Sequence, residues 1–293
     1  MSSFRTFAVA GIGSLGGPIA EELLKQKAAG QITDVILLTR ASSNNTIATH
    51  LATLGARLVA VDYTSLASLT AALTGTDVLL STVSHLQLHV QPLLARAAQA
   101  AGVRLFAPSE YGAPTDGPAA DVPGVLQTKR ALHTTLRELG LPYVLTFTGA
   151  FPDYVFVPDL FIDLVNGKAT VGGDGTAVNS FTSMPDIARF VVHALVTLPP
   201  AELNWKTLRI EGERISFNEI FNQYTAKTGK HITVSYKSLA ELEAAFKANP
   251  SDLASYLHWV WGQGKGTVGT PEQLSNGLYP EWNPKKAIDA IAS

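Results

Sequence analysis

Three glycines near the start of the chain, Gly11, Gly13 and Gly16, have the spacing G-x-G-x-x-G. They follow an apolar run, Phe7-Ala8-Val9-Ala10, and lead into a segment with helical periodicity. In that segment Ile19, Leu23 and Leu24 fall on one face and Glu21, Glu22, Lys25 and Lys27 on the other. In a strand–turn–helix unit each glycine has a task. Gly11 permits the tight turn, Gly13 leaves the backbone open to a pyrophosphate, and Gly16 lets helix and strand pack closely. The free amides at the helix start, with Ile12, Ser14 and Leu15 between the glycines, then favour an anion. The partner group lies at Arg40. The strand Val35–Thr39 ends there, and no carboxylate follows in Ala41-Ser42-Ser43-Asn44. An acidic residue at this point would bond a ribose 2′-hydroxyl. A guanidinium, helped by Ser42 or Ser43, suits a 2′-phosphate instead. The pattern therefore implies a dinucleotide site that takes NADPH in preference to NADH.

A nicotinamide site also needs a proton donor. The Tyr-x-x-x-Lys pair common in short-chain dehydrogenases is absent, since Tyr111 and Lys129 are too far apart to form it. The candidate region is Phe106-Ala107-Pro108-Ser109-Glu110-Tyr111-Gly112, followed by a Pro/Gly/Asp loop and by Leu126-Gln127-Thr128-Lys129-Arg130 opening a helix. Ser81-Thr82-Val83-Ser84 closes another strand. Thr82 and Ser84 either line the nicotinamide side of the cleft or form a plain turn. Asp62 either caps a loop or bonds near the adenine. Phe151, Asp153, Tyr154 and Phe156 are expected to border the substrate, with Tyr111 either donating to a substrate oxygen or packing. The aromatic wall suits a planar ligand. His85 and His89 are four apart, but no third ligand accompanies them, so no metal site is expected. The chain has no cysteine, which excludes disulfides, thiolate metal sites and a cysteine nucleophile.

These residues need a scaffold. Strand-like runs at Val35–Thr39, Leu58–Val61, Asp77–Ser81, Val103–Ala107 and Tyr143–Phe147 alternate with helical segments at Ser65–Leu73, Gln91–Ala101 and Leu126–Leu139. Apolar strands without alternation, separated by helices, indicate an α/β fold. Its centre is a doubly wound parallel sheet of Rossmann type, with ligands along the strand C-termini. After Phe151 the rhythm changes to proline, aromatics and short elements, so residues 1–150 read as the NADP-binding domain. Residues 151–293 read as a smaller α/β substrate lobe with some return to the sheet. In that lobe a helix is expected over Met184–Leu198, a strand over Leu208–Glu211, a helix from the capping box Ser216/Glu219 through Thr228, a strand over His231–Tyr236 and a helix over Leu239–Ala248. Trp205, Trp259 and Trp261 are expected to pack this lobe. Gly262–Gly269 either covers the site or connects. With 46% hydrophobic residues over 293, a large core can be buried. A net charge of −2 without long charged runs gives no footprint for nucleic acid. The most apolar later stretch, Leu141–Val165, is broken by proline and aspartate and is no bilayer span. The expectation is a cytoplasmic protein, a monomer or homodimer, whose partner is a small molecule.

The glycine loop, Arg40 after the second strand, Pro-Ser-Glu-Tyr-Gly after the fifth and Lys129 at the next helix start together resemble the isoflavone reductase-like and NmrA-like family of atypical short-chain dehydrogenase/reductases. The likeness extends through Gln91–Gly112, Leu141–Phe151, Gly172–Ala194 and Ser216–Gly229. It implies an NADPH-dependent reductase acting on a small, aromatic enone, carbonyl, quinone-type or phenolic-ether substrate. The lysine matching Lys129 would be both general acid/base and a ligand of the cofactor ribose. A buried lysine with a lowered pKa can exchange such a proton. The resemblance also includes dinucleotide-binding redox sensors that regulate a partner without turnover; Lys129 argues for the enzyme. Two departures stand out. The family's first loop glycine falls on Ala10, and Gly149 stands where family reductases often have Asn.

Overall fold

The structure, a computed structural model, describes residues 4–117 and 124–292. Five strands, β1 (Thr6–Ala10), β2 (Asp34–Arg40), β3 (Arg57–Val61), β4 (Val78–Ser81) and β5 (Leu105–Ala107), form a parallel sheet in the order β3-β2-β1-β4-β5. A bridge between Phe106 and Tyr143 carries the sheet on to β6 (Val144–Phe147). This is the doubly wound order: the direction in which successive strands are added reverses between β1 and β4, and in such sheets ligands settle at that point. Strands β1, β2, β4 and β5 are apolar on both sides because both sides are covered, whereas the edge strand β3 is largely exposed. In β1, Phe7 and Val9 belong to one core cluster, and Ala8 and Ala10 to the other. Helices α1 (Gly16–Ala28) and α2 (Thr46–Thr53) serve the first cluster. Helices α3 (Leu66–Leu73), α4 (Gln91–Ala100) and α5 (Gly124–Glu138) serve the second.

The second half begins with the short α6 (Pro152–Val155), β7 (Ile162–Asp163), β8 (Lys168–Gly172) and β9 (Val178–Phe181). Helices α7 (Met184–Thr197) and α8 (Pro200–Leu203) then lead to β10 (Lys206–Arg209). This half returns to the first core twice. The β10 strand pairs in parallel with β6, and Ile187, Phe190, Val191 and Leu195 of α7 join the cluster of α1. The expected strand over Leu208–Glu211 lies two residues earlier. Its pairing is fixed by Trp205 N donating to Tyr143 O at one end and Ile210 N to Phe147 O at the other.

The remainder builds a separate core. Strand β11 (Glu213–Ser216) runs antiparallel to β9. Helix α9 (Phe217–Thr228) opens on the predicted capping box: Ser216 accepts from Glu219 N, and Glu219 reaches back to Ser216 N. Strand β12 (Thr233–Lys237) joins β8 and β7 in a small sheet. Helices α10 (Leu239–Ala248), α11 (Leu253–Gly262) and α12 (Ala287–Ile291) complete the chain. Phe156, Phe181, Phe217, Phe221 and Trp261 form an aromatic cluster in this core, with ring centroids 5–7 Å apart, the separation such rings favour. Trp205 corrects an expectation: it is 46% exposed and meets Tyr143 edge-on at the end of β6, not the lobe interior. Among the described residues no helix is long and apolar enough to cross a membrane.

Candidate active site

The turn after β1 shows what each glycine does. Gly11 has φ +97°, a conformation that side chains resist. A Cβ there would lie 2.7 Å from the backbone of Thr82 and Val83. A Cβ on Gly16 would lie 2.0 Å from Gly11 O, whereas one on Gly13 would meet nothing within 4 Å. Gly11 and Gly16 are thus required by the fold, and Gly13 faces open space. Thr82 locks the turn from β4, its Oγ1 donating to Gly11 O at 2.5 Å. Ala10, in the family's first glycine position, is fully buried and paired in β1; Gly11 takes the turn in its place.

A second lock comes from Asn45, which sequence reasoning missed. Its Nδ2 donates to Ile12 O at 2.5 Å, and its Oδ1 accepts from Ala48 N at 3.0 Å, capping α2. The signal was present as a cap residue before Thr46-Ile47-Ala48. It was hidden in a polar stretch that looks like loop.

A cavity of about 640 Å³ opens over these strand ends. Gly11, Ile12, Gly13, Ser14, Leu15, Arg40, Ser43 and Asn45 line one part of it. Thr82, Ser84, Ser109, Glu110, Tyr111, Val125, Lys129, Phe151, Tyr154 and Met184 line the rest. Gly16 and Ser42 are not on the wall; Gly16 acts through packing. Arg40 is exposed. Tyr63, beside it, donates to Leu38 O. Burial pushes the Tyr63 phenol up to about 12, although the Arg40 charge pulls it down. Asp62 turns away to accept from Thr64, so it caps a loop.

At the far side Lys129 sits half-buried on α5, and its Nζ donates to the main-chain carbonyl of Glu110 at 2.5 Å. Burial pulls the Lys129 ammonium below the ordinary lysine range, and the Glu110 charge opposes that fall. The Glu110 carboxylate is buried and accepts from Thr115 Oγ1 at 2.8 Å and from His133 Nε2 at 2.7 Å. Ser109 is pinned by Gln91 and by Val83 O. Tyr111 is 8% exposed, and its hydroxyl has no hydrogen-bond partner among the described residues. Burial first, then the Glu110 charge, push this phenol above the usual tyrosine range, so it remains a donor.

Of the expected substrate border, Phe151 and Tyr154 line the cavity and Asp153 and Phe156 do not. The Asp153 carboxylate accepts from Met184 N at 2.8 Å, and Phe156 belongs to the aromatic cluster. His85 lines the cavity while His89, in the same 3₁₀ turn, does not. Gly149 has φ +69°, and a Cβ there would lie 2.1 Å from Ser180 O. The close approach of β9 explains glycine at that position. The Gly262–Gly269 segment is strapped to β9 and its neighbours: Ser180 N donates to Gly266 O, Arg209 to Val268 O and Arg214 to Gly269 O. None of its residues lines the cavity.

The fold and cavity define a Rossmann-type protein with a glycine-rich turn and a half-buried lysine on the wall of one cavity. The chain belongs to the NmrA-like family, whose sequence profile matches residues 6–258. It is 29% identical to phenylcoumaran benzylic ether reductase Pyrc5 of Pyrus communis, over 93% of this chain and 92% of that one. It is 31% identical to phenylcoumaran benzylic ether reductase Betv6 of Betula pendula, over 73% and 72%. Its fold matches the leucoanthocyanidin reductase–NADPH binary complex from Vitis vinifera with a TM-score of 0.83 at 20% identity, covering 98% of both chains.

Proposed function

We propose that the protein is an NADPH-dependent reductase of a small, aromatic enone, carbonyl, quinone-type or phenolic-ether compound, with Lys129 as general acid/base. One observation carries the reading. A single cavity has the glycine turn and Arg40 on one side and, on the other, a half-buried lysine of lowered pKa and a phenol that has no hydrogen-bond partner among the described residues. The chain's own atoms fit the dinucleotide: the space over Gly13 admits a pyrophosphate, and the exposed Arg40 guanidinium suits the 2′-phosphate. The reductase names of the relatives, and the NADPH in the structural neighbour, support the same conclusion.

When bound, NADPH supplies the hydride. The residues do the rest. Gly11 to Leu15 and Arg40 would hold the phosphates, and Thr82 and Ser84, on the same cavity wall, would border the cofactor. The Lys129 ammonium would bond the ribose and would deliver a proton to the substrate oxygen that gains charge in the reduction. The Tyr111 hydroxyl donates to that oxygen or a neighbouring one. Phe151 and Tyr154 receive the flat face of the substrate and keep water out. The decay of NADPH absorbance with quinones, enones and phenolic ethers tests the reading. Oxidation with at least one class is expected. Tight, redox-selective NADP(H) binding with no oxidation would instead make the protein a sensor.

A further inference from the structure

Helix α5 carries Lys129 and His133 four residues apart, on one face. Both reach Glu110. Lys129 Nζ donates to its main-chain carbonyl, and His133 Nε2 faces its Oε1 at 2.7 Å and therefore carries the proton. Thr115 holds the other carboxylate oxygen. The side chains of His133 and Glu110 are 5% and 0% exposed. His133 stands between Leu132 and Leu136 in the buried stripe of the helix, where an apolar residue would avoid the cost of burying an imidazole. Its ring is also stacked on Tyr143, with centroids 6.1 Å apart and an angle of 18°, which holds it toward the carboxylate.

We propose that His133 is a positioning residue for Lys129: by holding the Glu110 carboxylate, it fixes the main-chain carbonyl on which the Lys129 ammonium rests. A lysine stem is long and flexible, so an ammonium that must meet a substrate gains from a fixed rest point. Among the described residues, Glu110 faces Lys129 from the loop after β5. Arg40, Tyr63, His85, Tyr111 and Tyr154 share the cavity wall, and Arg130 turns away to donate to Thr115 O. The proposal rests on the reductase reading for the chemistry of Lys129 but not for its geometry.

The test therefore needs a readout independent of turnover. Competitive acetylation of the full-length protein across pH, read by mass spectrometry, gives the titration midpoint of Lys129 whether or not NADPH is consumed. Glu110→Gln, His133→Gln and His133→Leu are compared with the wild type. Gln keeps an N–H near the Nε2 position, and Leu removes it at similar bulk. Glu110→Gln is expected to lower the midpoint by about half a pH unit or more, because the charge opposing burial is gone. His133→Leu shifts it the same way, because the main-chain carbonyl that accepts from the Lys129 ammonium is no longer held in place and favours the charged form less. His133→Gln restores the wild-type midpoint. With an accepted substrate, His133→Leu lowers kcat about tenfold at unchanged KM for NADPH, and Gln recovers it. A folded His133→Leu variant with the wild-type midpoint overturns the proposal. So does His133→Gln displaced as far as Leu. If the Leu variant does not fold, Glu110→Gln decides, and a wild-type midpoint there overturns it equally.

Discussion

Gly16 lies against Gly11 so closely that a Cβ on Gly16 would come within 2.0 Å of the Gly11 carbonyl oxygen, while Gly13, between them, has free space. The two glycines therefore separate stability from binding. Gly16→Ala is expected to lower stability by about 1–3 kcal/mol through overpacking of the turn. Gly13→Ala is expected to melt like the wild type and to bind NADPH at least about tenfold more weakly, since its methyl occupies the space proposed for the pyrophosphate. Thermal melts and a fluorescence titration with NADPH check both.

Arg40 is exposed at the cavity wall, where a 2′-phosphate can be met by its planar fork. A charge-assisted hydrogen bond contributes about 1.5–3 kcal/mol, so Arg40→Ala should weaken NADPH binding by roughly 10- to 150-fold. NADH, lacking that phosphate, should bind almost unchanged. Equal losses for both cofactors in side-by-side titrations would remove the assignment.

The first half of the fold was legible in the sequence because four of its five sheet strands, β1, β2, β4 and β5, are buried on both faces. Continuous runs such as Val35–Thr39 and Asp77–Ser81 need no knowledge of their partners. The turn after β1 was legible for a related reason: the spacing of Gly11, Gly13 and Gly16 is local, and the close packing around Gly11 and Gly16 gives those two a structural task. Helices α2 and α11 were not read. Asn45 and Asp252 cap them, but the first lies in a polar stretch and the second follows Asn249-Pro250, which resembles a loop. Strands β7 to β9 depend on pairing over long sequence separations, which local patterns do not encode. At the site, His133 resembles an ordinary residue of an apolar stripe until Glu110, 23 positions away, is seen beside it. Asp153 erred oppositely, as a cavity candidate by proximity that instead accepts from Met184 N.

His258 couples acidity to stability in the second core. It is 1% exposed, its Nε2 donates to Leu160 O at 2.9 Å, and its Nδ1 is unpartnered among the described residues. Burial lowers its pKa to about 4; the bond to Leu160 O partly opposes this and Lys237 adds to it. Because the folded value is depressed, the unfolded chain takes up the proton first. This contribution is intact above about pH 6.5 and is lost as pH falls toward 4. The wild type is expected to lose up to about 3 kcal/mol across that window from this group. His258→Gln, which keeps an N–H for Leu160 O, should flatten the acid limb. Denaturant melts at a series of pH values measure the difference.

Gly149, where the resemblance leads one to expect Asn, gives a further stability test. With φ +69° and Ser180 O only 2.1 Å from a built Cβ, Gly149→Asn is expected to cost at least about 1–3 kcal/mol, although Asn tolerates the backbone angle. A melting temperature equal to that of the wild type would show that β9 can move aside.

The most direct test separates what Lys129 does from what the cavity binds. NADPH oxidation with an accepted substrate and NADPH affinity are measured on the same preparations of wild type and Lys129→Ala. The expected result is loss of turnover by about 10²-fold or more, with NADPH affinity largely retained. Turnover at the wild-type rate in Lys129→Ala would contradict the assignment of this lysine as the group that manages the proton.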